Sequence, residues 1–257
     1  MRTSVFLLAC FAALVPNCAR AQSGDFDVAL QGKQVGTASY HIARHAQGFE
    51  STSTVRVSAK GIEYAISKTE QLSAAHQLRR VDLSAVVNGS AVHLTAAPES
   101  SALVLTIAAN GRSTTNRLAA HPAAVLLPDF DPGALETLLK LAAAHNNRDL
   151  WAVIPRQTGS VEQIQLATYA DEKGSLDGKP VVVHHLIASY AGTSTDLFTG
   201  PTYQLLQAEL PQQGFALVRK GFVLTPPAKP LAPPPTQGDD SAPATNTGAT
   251  QRSPVRK

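Results

Sequence analysis

Between Leu127 and Asn147 the apolar residues recur at helical spacing, while almost everything else beyond the N-terminal segment alternates as strands do. That contrast constrains the fold more than any other feature of the chain. Asp131 stands where a carboxylate accepts from the free N–H groups of a first helical turn. Pro132 follows at the position where a missing N–H costs nothing, and Leu135, Leu138, Leu139 and Ala142 then share one face. A lone amphipathic helix among strands needs a sheet to cover it. The expected fold is therefore all-β and mainly antiparallel: a long curved antiparallel sheet, or open half-barrel, of about 14 strands around one central helix near residues 131–146.

The strands before the helix are short and regularly punctuated. Phe26–Leu30, Gln31-Gly32-Lys33 and Gln34–Ala43 read as a hairpin. Phe49, Val55, Val57 and Ala59 then fall on one face of a strand, with Glu50, Thr52, Thr54, Arg56, Ser58 and Lys60 on the other, so one side is wet. Ile62, Tyr64 and Ile66 alternate again, and Val81, Leu83, Ala85 and Val87 follow a longer turn. Asn88-Gly89 and Asn110-Gly111 are the strongest hairpin signals, because both central residues of a type I′ turn need positive φ. After the helix, strands are predicted over 149–155, 160–171, 179–191, 193–199, 202–210 and 215–224. Pro180–Ile187 is apolar on both faces and reads as a central strand covered on each side.

The two ends read differently. Arg2, the apolar run Val5–Val15 and Ala19-Arg20-Ala21 form a signal peptide over 1–21 with cleavage after Ala21, which predicts a periplasmic or secreted protein. Asn17 before Cys18 is the wrong residue for a lipoprotein anchor, and Cys10 comes too early. Cleavage removes both cysteines, so disulfides and thiol chemistry are not expected, and no transmembrane segment remains. From Pro226 the chain turns to Pro, Ala, Thr and Gly with eight prolines and no aromatic residue, which predicts a disordered tail over 225–257. Residues 22–224 are left as a single β-rich domain, although 44% hydrophobic content would also suit two smaller β units. The formal charge of +3 sits mostly at the two ends; the body is close to neutral and offers no footprint for nucleic acid.

Catalytic motifs are not found: there is no H-E-x-x-H, no phosphate-binding glycine loop and no G-x-S-x-G. His41 and His45 are four apart on a strand, about 13 Å, too far to share an ion; His184 and His185 are adjacent on a strand and face opposite ways. Asp129 and Asp131 are too few for a calcium site and suit a helix cap better. No cofactor and no metal ligand is therefore predicted. Phe130, Leu135, Leu138, Leu139 and Trp151 read as core, and would line a hydrophobic ligand site if the curved sheet closed imperfectly over the helix.

Tyr203–Arg219, a strand ending in Glu209-Leu210-Pro211 followed by a turn and a strand ending in Val218-Arg219, resembles the terminal hairpin of uncharacterised exported bacterial β proteins. Gln31–Gly36 followed by Tyr40-His41-Ile42 is similar to their opening. The resemblance implies a strongly curved sheet with helix inside the curve, distantly like the periplasmic lipoprotein carrier and receptor (Lol-type) folds, whose cavity holds acyl chains. It carries no functional residue across. The resulting expectation is a non-enzymatic envelope protein that binds a lipid or other hydrophobic ligand inside the sheet. Two alternatives stay open: a structural or protein-interaction module using the exposed sheet face or the tail toward an envelope partner, and a hydrolase built on Asp129, Asp131 and a nearby histidine.

Overall fold

The computed structural model describes residues 21–59, 61–155 and 159–225, so nearly all of the leader and of the tail predicted from the sequence lies outside the described residues. Eight strands come first: β1 (Gln22–Leu30), β2 (Lys33–His45), β3 (Gly48–Ala59), β4 (Ile62–Leu72), β5 (Leu78–Val87), β6 (Ser90–Glu99), β7 (Ala102–Ala109) and β8 (Arg112–Ala119). Each pairs antiparallel with the next, as the alternating pattern requires. At both Asn-Gly turns the two residues have positive φ, 48° and 81° at Asn88-Gly89 and 52° and 73° at Asn110-Gly111, the geometry whose twist matches the flanking strands.

The second half supplies β9 (Ala124–Leu126), α1 (Pro132–Ala144), β10 (Leu150–Ile154), β11 (Ser160–Thr168), β12 (Glu172–Leu176), β13 (Lys179–Tyr190), β14 (Thr193–Thr199), β15 (Leu205–Leu210), β16 (Phe215–Arg219) and β17 (Phe222–Thr225). β16 pairs with the free edge of β1, and the ladder continues through β15, β14, β13, β11 and β10 to β9. β12 lies along the first half of β13 and carries β17 on its other edge. The result is one large, mostly antiparallel open sheet of 17 strands.

Three strands exceed the number expected. The strand expected over 160–171 ends at Thr168 as β11 and β12 follows as a further strand, the strand expected over 215–224 breaks at Lys220-Gly221 into β16 and β17, and β9 is an additional strand of only three residues. β9 also runs parallel to β10, joined to it across α1, the one parallel pair among the described residues. β13 sits centrally, with Val183, Leu186 and Ala188 buried, but Val182 is 52% exposed, so only part of the strand is covered on both faces.

α1 starts as predicted: the Asp131 carboxylate accepts from the N–H groups of Gly133 (2.9 Å) and Ala134 (3.1 Å), and Pro132 opens the helix. It ends where Asn146 and Asn147 adopt positive φ and the Asn147 N–H returns to the Ala142 carbonyl. The surroundings differ from a helix laid on a sheet. Every residue from Pro132 to Leu139 is buried, and the helix touches β2, β3, β9, β10 and β15, so the sheet encloses it. Its leucines join Phe26, Val55, Leu105, Leu150, Leu197 and Leu217 in one continuous core. Val183, Phe198, Leu206, Phe222 and Leu224 form a second, smaller cluster. Among the described residues no helix is long and apolar enough to cross a membrane.

Candidate functional site

The apolar residues singled out from the sequence occupy the interior. Leu138 and Leu139 have no exposed surface, and Leu135 is 8% exposed. Phe130, at φ 60° just ahead of the helix, meets Tyr64 edge-on at 5.8 Å and leans on Phe215 at 4.6 Å. Trp151 is half-buried on β10, packs against the same core and stacks on His121 at 3.7 Å. Phe130 and Leu135 border a cleft of about 60 Å³ that Asp129, Asp131 and Gln212 also line. That volume suits a few waters, whereas sites for drug-sized ligands run to about 300–1,000 Å³.

Polar chemistry is concentrated around the helix. Lys68 Nζ lies 2.8 Å from Asp131 Oδ2 and 3.3 Å from Glu70 Oε2, with all three side chains closed to solvent. Burial pulls the Lys68 ammonium down, yet the Asp131 and Glu70 carboxylates together carry it above the usual lysine value. Burial raises Glu70, with Lys68 opposing and Asp131 reinforcing the shift. Directly opposite Glu70 and Lys68 on β3, Ser51 and Ser53 are buried with hydroxyls that meet no hydrogen-bond partner among the described residues. One turn further along, Glu136 accepts from Tyr40 Oη (2.6 Å), Gln22 Nε2 (2.8 Å) and the Leu205 N–H (2.8 Å). Burial lifts the Glu136 carboxyl above its ordinary range against the pull of those donors, and burial together with Glu136 pushes the Tyr40 phenol up, so Tyr40 stays a donor. With one Asp131 oxygen on the helix cap and the other on Lys68, the carboxylate is fully committed to holding α1. That is the placement of a structural group.

The histidines are likewise placed. His41 and His45 are exposed on β2. His184 and His185 point to opposite faces of β13, His184 Nδ1 at 2.8 Å from Asp171 and His185 Nε2 at 2.8 Å from Asp196, both tying neighbouring segments together. Among the described residues no three His, Cys, Asp or Glu side chains gather as a metal site would require.

A much larger hollow lies on the opposite, wet face of the N-terminal meander. Cross-strand register sets out its floor in two rows. One runs Arg56, Ala65, Val86, Ala91 from β3 to β6; the other runs Thr54, Ser67, Ser84, His93, Ala108, Ser113 from β3 to β8. Because these residues are small, the face sinks between the Asn88-Gly89 and Asn110-Gly111 turns into an open trough of about 950 Å³. A second hollow of about 320 Å³, holding Asp25, Thr37, Ser39 and Lys220, adjoins it, and Thr54 and Arg56 line both. Val86, at the centre of the floor, is 44% exposed. The sequence displayed these residues only as a polar face; the signal was the run of Ala and Ser where long charged side chains would be ordinary.

No protein-family model, curated protein or solved structure matches this chain.

Proposed function

We propose that the protein is a non-catalytic binding protein that takes a hydrophobic, chain-like ligand on the wet face of its N-terminal meander rather than beside the helix. One comparison carries this reading: about 950 Å³ of open trough on that face against about 60 Å³ beside Phe130 and Leu135. An exposed valine set among alanines and serines gives the trough an apolar floor with hydroxyls at hand, the mixture found in sites that orient a mostly apolar ligand. On this reading the leader expected over 1–21 would put the work in the cell envelope, and the resemblance to acyl-chain carriers would be one of ligand class with the site on the outer face.

Fluorescence of the neutral apolar probe N-phenyl-1-naphthylamine tests it. The protein should enhance the probe saturably. Ser84→Trp, which places an indole in mid-trough, should weaken that at least tenfold while leaving the melting temperature unchanged. No enhancement by the unaltered chain, or full enhancement by the variant, would sink the reading.

A further inference from the structure

We infer that the ligand is a single-chain amphiphile with an anionic head, its head seated at Arg56 and its chain running along the trough toward Ala108. This rests on the binding reading above and adds the ligand's chemistry and direction.

Charge supplies the first argument. The lining of the larger trough holds Arg56, His93 and Arg112 and no carboxylate. His93 already leans on Asp82 at 3.9 Å, whereas Arg56 and Arg112 make no ion pair among the described residues. The smaller hollow adds Lys220 and a single acid, Asp25. A planar guanidinium with its donors open to a trough of mixed alanine, valine and serine suits a carboxylate or phosphate, which it can grip by two parallel hydrogen bonds. Arg56 lies where the two hollows meet. A head there has room on one side for further polar groups, with its chain entering the other.

Length supplies the second. From β3, which carries Arg56, to β8, which carries Ser113, are five strand spacings, about 24 Å at roughly 4.8 Å each. A chain filling one leaflet of a bilayer covers about 15 Å, half of a hydrocarbon core of about 30 Å. The floor between, Ala65, Val86, Ala91 and Ala108, offers methyl groups along that path.

Displacement of the neutral probe from the full chain, below the micelle-forming concentrations, tests this. Dodecanoate and dodecyl phosphate should displace it at concentrations at least tenfold lower than dodecyltrimethylammonium or dodecanol do. Arg56→Gln should abolish that preference and Arg56→Lys should keep most of it. Ala108→Trp should reject dodecanoate while still accepting hexanoate. Equal displacement by all head groups, an unchanged preference in Arg56→Gln, or displacement by inorganic phosphate as effective as by dodecyl phosphate would each overturn the inference while the binding reading stood. Failure of the unaltered chain to take up the probe would overturn both.

Discussion

Lys68 Nζ and Asp131 Oδ2 lie 2.8 Å apart with neither side chain reaching solvent, so the residue that caps the only α-helix among the described residues is also ionically bound to strand β4. One carboxylate thus performs two tasks, one oxygen on the first-turn N–H groups and the other on the sheet. The helix cannot leave the interior without baring a charge on each side.

Breaking that pair from one side should be costly. Lys68→Met leaves the Asp131 and Glu70 carboxylates buried without their cation, and losses of this kind run to about 3–5 kcal/mol. Asp131→Asn keeps an oxygen for the cap and should cost less than Asp131→Ala, by about 1 kcal/mol, the usual worth of a cap. Urea unfolding of the three variants gives the order. Asp131→Ala no less stable than Asp131→Asn would mean that the cap contributes nothing.

Glu136 makes stability depend on pH. Burial holds its carboxyl above the ordinary glutamate range in the folded chain, so the folded state keeps a proton that the unfolded chain gives up. Stability from this group is full below the unfolded value and is lost as pH rises through the folded one, at most about 1.4 kcal/mol per pH unit for one proton. Glu70 and Glu209 are raised for the same reason and act in the same direction, while His76, lowered by burial, opposes them over the window just below its ordinary value. Melting temperatures from pH 4 to pH 8 should decline more steeply for the unaltered chain than for Glu136→Gln. Parallel curves would remove Glu136 as a source of the dependence.

What could be read from the sequence was local. Asp131-Pro132 announced the helix start and Asn88-Gly89 and Asn110-Gly111 the hairpins, because each is settled by residues within a few positions. The short β9, hemmed between Pro122 and Pro128, offers too few residues for a period, so its parallel pairing with β10 went unseen. Lys68 and Glu70 are in phase with Ile66 on β4 and so share its inner face, but a rule that sends charges to the wet side hides them. Their enclosure depends on Asp131, more than sixty positions later. The trough was less legible still, since Arg56, Ala65, Val86 and Ala91 become neighbours only when the register of four strands is known.

Gly133 offers a sharper check on how tightly the helix is seated. In the first turn of a helix, replacing glycine with alanine ordinarily gains about 0.5–1 kcal/mol by removing backbone freedom. Here an added Cβ would collide with Ser53 Oγ and stand 3.2 Å from Tyr40 Cβ, both on strands packed against α1. The Ser53 hydroxyl meets no hydrogen-bond partner among the described residues, so it contributes little by staying and obstructs by its position. Gly133→Ala alone should therefore destabilise by about 1–3 kcal/mol, the range for overpacking in a well-filled interior. Adding Ser53→Ala takes away the colliding oxygen and relieves a buried unpaired hydroxyl, so the double variant should regain most of the loss. Denaturant midpoints of the two single variants and the pair measure the coupling directly. Additive losses would show that α1 has room to shift within the curve of the sheet, and the close seating of its first turn against β2 and β3 would then be untenable.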